Sequence, residues 1–271
     1  MKRELLMRFL VTVFGVLAVS SAAHSADLRD RSGGAPPPPP LSAPVFNWSG
    51  FHIGANAGYA FGDRRSTTIG TPAFQTLIAP GFVPAVLSSG AEGFIGGGQI
   101  GASAQLGSIV VGVEADIQGG QSTQSASFTG LAVLGTRLRT GTESKLDYLG
   151  TVRGRLGVAF DRFHVYGTAG LAYGKSTVSA SVDGVDAPAL VWQGTTSSLR
   201  TGYVLGAGAE YAFTSNLVGR FEYLFFDLGK QGASAGGNAA VRAVGALNGI
   251  DYASSTGIRG SVIRGAVSYK F

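Results

Sequence analysis

Residues 145–174 read KLDYLGTVRGRLGVAFDRFHVYGTAGLAYG, two glycine-rich apolar runs around a short polar break at Asp161-Arg162. Sorted by parity, the first run sets Leu146, Tyr148, Val152, Leu156, Val158 and Phe160 against Lys145, Asp147, Thr151, Arg153 and Arg155. Successive side chains of a strand point to opposite faces, so this run predicts a strand with one apolar face and one polar, charged face. Such a strand fits a soluble sheet or a barrel in lipid. The rest of the chain decides which.

Outward from that stretch, composition narrows the choice. The 271 residues include 43 Gly and no Cys, and charged residues make up only 14%. Soluble domains carry about 25% charged residues, so the polar surface is too sparse for an ordinary shell in water. The absence of cysteine excludes a disulfide scaffold and a thiolate metal site. The net charge of +5 is partly the work of Lys2, Arg3 and Arg8 at the start, and the remainder is too dispersed to indicate a nucleic-acid partner.

The opening residues have the pattern of an export signal. A basic start leads into an apolar core, Phe9 to Val19, and then into the small-residue pattern Ala23-His24-Ser25. Cleavage is expected after Ser25, with a cut after Ala23 as the alternative; the first assigns residues 1–25 to a signal peptide and starts the mature chain at Ala26-Asp27. Residues 26–45 are expected to form a proline-rich linker. The run Pro36 to Pro40 favours an extended spacer without a core. No later stretch has the ~20 apolar residues of a membrane-spanning helix.

Residues 46–271 show eight alternating segments, near 46–61, 93–106, 109–118, 145–160, 163–174, 200–213, 217–228 and 258–271. Gly107-Ser108, Asp161-Arg162 and Thr214-Ser215-Asn216 read as hairpin turns. The other links, near 62–92, 119–144, 175–199 and 229–257, are long and rich in Ser, Thr, Gly and Ala. Strict alternation of tight turns with long loops predicts an all-β fold: an eight-stranded antiparallel transmembrane β-barrel with short periplasmic turns and four long extracellular loops. The apolar parity, for example Phe51, Ile53, Tyr59 and Phe61, carries almost no charge, while the opposite parity is mostly Gly, Ser, Thr and Gln. The apolar face therefore points to lipid. Aromatic residues fall at two levels. Phe160, Phe163, Tyr211, Phe213, Tyr269 and Phe271 gather at the short-turn end, and Tyr59, Phe61, Tyr148, Tyr173, Tyr203 and Phe225 at the other.

By the same parity Glu114, Asp116, Arg153, Arg155, Glu210, Arg220, Glu222 and Arg264 point into the barrel. Buried charges without partners are costly, so these are expected to pair and to fill the lumen of a narrow barrel. His52 and His164 share the inward parity and are expected to be hydrogen-bonded residues of the lumen. Gly96-Gly97-Gly98-Gln99-Ile100-Gly101 satisfies Gly-x-Gly-x-x-Gly, but it lies inside an alternating strand rather than between a strand and a helix, so small residues in a crowded lumen explain it better than a dinucleotide. No catalytic or metal constellation is found, and no cofactor is expected. Tyr252 is the one residue of the long links with a side chain of the kind that ligates haem iron.

The stretch NWSGFHIGANAGYAFG, residues 47–62, resembles the Trp-x-Gly-Phe-x-x-Gly-x-x-x-Gly-Tyr opening of small opacity-type and immunogenic outer-membrane proteins of α-proteobacteria. The Ala-Asp-Leu mature start with its proline-rich stretch and the ending SVIRGAVSYKF are similar to that family as well. The resemblance implies an abundant outer-membrane protein and surface antigen without enzymatic activity, contributing to envelope integrity and often called a porin by homology. Some relatives bind haem. It further implies that outer-membrane lipids are partners and that Tyr269 and Phe271 form the signal read by the barrel-assembly machinery. Peptidoglycan would be a partner too if the α-amino group of Ala26 accepts a covalent link, with Asp27 as a recognition element. Three functions follow in order of expectation: a structural envelope protein, a narrow channel for small solutes, and a surface adhesin or receptor using the long loops. The oligomeric state is not legible in the sequence.

Overall fold

The computed structural model describes residues 46–70, 83–133 and 136–271. The signal peptide and linker, with Ala26 and Asp27, lie outside the described residues. Eight antiparallel strands form a closed ring in chain order. They are β1 (Gly50–Gly70), β2 (Val86–Leu106), β3 (Ile109–Val133), β4 (Thr136–Phe160), β5 (Phe163–Gly184), β6 (Val191–Ala212), β7 (Leu217–Gly237) and β8 (Tyr252–Lys270). The ring closes through β1 and β8, from His52↔Lys270 to Gly70↔Tyr252, and Phe271 N–H donates to the Phe51 carbonyl at 2.9 Å.

The turns at one end are tight because their residues reach the left-handed region. Gly107 has φ 64° and Asp161 has φ 50°, conformations that glycine and the short polar residues Asn and Asp adopt at least cost. At the other end β7 and β8 are joined by helix α1 (Ala239–Ala243) and a 3-10 turn (Gly245–Leu247). The Asn238 side chain caps α1 by accepting from Val241 N–H at 3.0 Å.

Three expectations are corrected. Most of the residues read as four long loops are strand, so the wall continues well past the predicted ends of the strands. In β5, Val178, Ala180 and Val182 face inward while Ser179, Ser181 and Asp183 face outward. Thr and Val such as Thr177, Val178 and Val182 favour β pairing, and continuing the ladder satisfies the backbone donors and acceptors that an irregular loop would leave to water. From Tyr148 to Thr136, β4 runs a further twelve residues, roughly 40 Å of strand path at ~3.3 Å per residue. The second correction concerns parity in β4. A register shift between Leu146 and Tyr148 inserts Asp147 as a bulge, so above it Leu146 turns inward and Lys145 outward. The predicted first segment is also shorter at its start: residues 46–49 precede β1 and fold into the mouth of the ring.

Three buried apolar clusters sit at three levels. Phe46, Trp48, Val110, Ala159, Ala212 and Val218 occupy the short-turn mouth. Leu149, Ala172, Leu224, Phe226, Ile258 and Val262 lie further up the barrel. Above them Leu138, Val178, Val182, Trp192, Val241 and Tyr252 fill the far half. The charged lumen lies between the first and second.

Candidate functional site

The register of the ring puts acids opposite bases. Glu114↔Arg153, Glu210↔Arg220 and Glu222↔Arg264 are direct cross-strand partners. All eight predicted lumen charges are buried, from Glu222 at 0% exposure to Arg220 at 7%. They form one connected cluster. Arg153 reaches Glu114 at 2.5 Å, Asp116 at 2.9 Å and Glu222 at 2.8 Å. Arg264 reaches Glu222 at 2.6 Å and Asp116 at 3.0 Å. Nearer the short turns, Arg155 meets Glu210 at 2.6 Å and Glu114 at 3.3 Å. Arg220 meets Glu114 at 2.5 Å and Glu210 at 2.6 Å.

Each arginine thus touches carboxylates on at least two other strands, and several contacts cross the lumen: β4 to β7, β4 to β6 and β7 to β3. Four guanidinium groups balance four carboxylates, which offsets the cost of burying them in a narrow, water-poor space. The forked geometry of arginine suits this bridging better than the single ammonium of lysine would. His52 lies 3.1 Å from Glu114 and His164 lies 2.9 Å from Glu210.

Several participants were not singled out in the sequence. Tyr166 donates its hydroxyl to Glu222 at 2.8 Å, and the Arg155 guanidinium lies 4.0 Å from the centre of its ring. Thr151 donates to Asp116 at 2.8 Å and accepts from Arg153 Nε at 2.9 Å. Tyr166 shares parity with His164 and Thr168, so an aromatic residue on the polar face was the available signal. Two glycines make room for these side chains. A Cβ on Gly101, the last glycine of the Gly-x-Gly-x-x-Gly match, would lie 2.6 Å from the His52 ring, and one on Gly208 would lie 2.5 Å from the Tyr166 hydroxyl.

The mouth below the cluster is stoppered by the chain itself. Trp48 is 5% exposed, donates its Nε1–H to the Asp161 carbonyl at 2.9 Å and packs 5.0 Å from the His164 ring. Phe46 N–H donates to the Asp161 carboxylate at 2.9 Å, and the Phe46 and Trp48 rings meet edge to face at 4.9 Å. The sequence marked Trp48 only as part of a motif. Its even parity, shared with His52 and Asn56, was the signal that it points inward.

Two cavities inside the barrel are small. One of about 20 Å³ lies between Trp48 and the Arg155–Glu210–Arg220 layer, and one of about 30 Å³ lies above the cluster beside Gln118, Leu149 and Phe226. Each has room for about one or two waters. Tyr252, the candidate haem ligand, is wholly buried in the far apolar cluster rather than presented at the surface.

The outer face of the same level is apolar. Phe51, Ile53, Ile100, Val113, Val152, Leu156, Leu171 and Phe221 are all more than half exposed. Aromatic pairs Tyr211–Phe213 and Tyr269–Phe271 mark the lower edge, and Tyr59–Phe94 and Tyr203–Phe225 mark the upper. A ring with a charged interior, a greasy exterior and aromatic edges is a barrel that sits in a membrane.

Comparison with known proteins places it further. The family model described as "Outer membrane protein beta-barrel domain" matches residues 9–271, and the chain belongs to that family. It is 42% identical over 227 residues to the 31 kDa outer-membrane immunogenic protein of Brucella melitensis, covering 82% of this chain and 87% of that protein. It is 32% identical over 227 residues to the 22 kDa outer membrane protein of Rhizobium leguminosarum bv. viciae, covering 83% and 85%. Among solved structures, OprG of Pseudomonas aeruginosa aligns with a TM-score of 0.42 at 12% identity, over 83% of this chain and 97% of that one. The protein is an outer-membrane β-barrel protein.

Proposed function

We propose that this chain is a non-enzymatic structural protein of the outer membrane, a sealed barrel rather than a channel. Its short turns face the periplasm and its extended half faces outward. The observation that carries this reading is the lumen itself. Four arginines, each held by at least two carboxylates from other strands, occupy the whole interior level, and Trp48 stoppers the mouth beneath them. For a solute to pass, several buried ion pairs would have to break together, and each uncompensated buried charge costs about 3–5 kcal/mol.

Reconstitution of the processed protein in planar bilayers tests this. The expected record is a flat baseline for the native protein. Stable conductance steps that change in size with Glu222→Gln would establish a channel and remove the sealed reading.

A periplasmic tether is the second part of the proposal. Phe46 and Trp48 are bound to the Asp161 turn at the short-turn end. There, residues 26–45 would span toward the cell wall and present Ala26 for covalent attachment. Detergent-boiled sacculi from the native host, digested with muramidase, should release a peptide that begins at Ala26 and carries a muropeptide. Recovery of only a free N-terminus, with all protein in the detergent extract, discards the covalent link and leaves the sealed barrel standing.

A further inference from the structure

Above the ion cluster, three polar side chains turn inward from β5 and β6 without a partner. Ser176 and Ser198 are direct cross-strand neighbours, on the same parities that carry Val178 and Val204 into the interior. Ser176 is 0% exposed, yet neither hydroxyl has a hydrogen-bond partner. Arg200 follows Ser198 on the inward face of β6, opposite Gly174, which has no side chain to crowd it. Its Nε is buried and also lacks a partner, and among the described residues no carboxylate lies within 4.0 Å of its guanidinium. Gln231 of β7 closes the other side. It is wholly buried, and its Nε2 donates to the Thr196 carbonyl at 2.9 Å and to the Ser176 carbonyl at 3.2 Å. In the lower lumen every arginine meets at least two carboxylates; here an arginine meets none. Buried donors are ordinarily satisfied, and a cation taken from water needs a counter-charge.

Three donors, one of them cationic, call for an acceptor that carries negative charge. Water would serve the two hydroxyls but leave Arg200 uncompensated. The layer is thin. Leu146 and Leu228 of one apolar cluster lie below it, and Val178 and Ala233 of the next lie above, so the space suits a single atom better than a phosphate or a carboxylate. Gln231 Oε1, an acceptor without a partner, suits a water in the shell of such an ion rather than the ion itself. We propose that Ser176, Ser198 and Arg200 bind one halide ion inside the upper half of the barrel. Regular β6–β7 pairing stops at Tyr203↔Asp227 and resumes at Gln193↔Gly236. The unpaired stretch of β6 includes Ser198 and Arg200, which gives the ion a route from the outer wall. The site lies above the ion cluster, so it holds whether or not the lumen conducts.

The test uses the full processed chain in a neutral detergent with sodium gluconate as the only salt, titrated with sodium bromide at constant ionic strength. The fraction that keeps its compact gel mobility after heating reports the folded barrel. Bromide should raise the midpoint temperature along a curve that saturates, as binding to the folded state requires. Arg200→Gln should weaken the apparent affinity at least about tenfold, and Ser198→Ala about threefold or more. Ser198→Ala removes one oxygen and keeps the test decisive if Arg200→Gln folds poorly. Crystals of the native protein grown in sodium bromide should show one anomalous scatterer in contact with Arg200 Nε and both hydroxyls. Water only at these groups overturns the proposal. So does a bromide response that rises without saturating, or that is unchanged in either variant, because each marks an adventitious ion only.

Discussion

The lower and upper halves of this barrel use the same strands and the same in-and-out alternation with opposite chemistry. In β5, His164, Tyr166 and Thr168 point inward while Val165 and Leu171 point outward. Higher on the same strand and on the same parity, Ala172, Val178, Ala180 and Val182 point inward while Lys175, Thr177, Ser179 and Ser181 do not. The backbone fixes which side chains face in, and the medium outside fixes what they are. Against hydrocarbon an apolar exterior is required and the interior takes the polar groups. Against water the ordinary rule returns, with apolar side chains inside. The change occurs over about two residues, between Tyr173 and Lys175, at the level of the upper aromatic edge.

The comparison can be broken most severely from the lower half. Arg153→Leu removes one of the cations that Glu114, Asp116 and Glu222 share, leaving four carboxylates to three arginines, and is expected to cost about 3–5 kcal/mol. Urea unfolding followed by heat-modifiable gel mobility measures it; a change below ~1 kcal/mol would show that the cluster does not hold the interior together. In the upper half Trp192→Ala, which also removes the hydrogen bond to the Ile250 carbonyl, is expected to cost ~3–5 kcal/mol locally. Limited proteolysis should then cut between residues 185 and 251 while a membrane-embedded fragment survives. Loss of both halves together would mean they unfold as one unit.

The outer surfaces sharpen the contrast. Leu156→Arg puts a cation against lipid at mid-barrel, with an expected penalty of about 2–4 kcal/mol. The same change at Ser179, which faces away from the interior above the membrane, should stay within ~0.5 kcal/mol. Similar costs at both positions would erase the boundary drawn here. The smallest effect lies at the outer tip. The side chain and backbone N–H of Arg137 donate to Asp186 and hold its carboxyl at about 2, below the ordinary 3.8. A lowered carboxyl contributes stability that is complete above 3.8 and is lost as pH falls through about 2. The protection factors of amides in residues 185–190, observed exchange divided into the intrinsic rate at each pH, should fall between about pH 5 and about pH 1.5 in the native protein. In Asp186→Asn the protection should already be lower at about pH 5 and should change less on acidification.

The lower half was legible in the sequence because a single periodicity, apolar against polar, ran unbroken through strands such as 163–174, and its acids and bases fell on one parity. The upper half was not. Its strands alternate Val and Ala with Ser and Thr, a weak contrast that composition alone files under loop. The bulge at Asp147 also inverts parity in β4, so Leu146 and Lys145 were assigned to the wrong faces. Trp48 escaped for a different reason. Its role depends on contacts with Asp161 and His164, more than a hundred residues away, which no local pattern encodes.

The buried charges also bear on how long the protein lasts. Parting any two strands while the ring is in lipid would bring guanidinium groups such as those of Arg153 and Arg264 against hydrocarbon before water could reach them. The route out of the folded state is therefore far steeper than the difference between its ends, and the lifetime of the barrel is set by the rate of escape rather than by equilibrium. A barrel built this way persists by being slow to open.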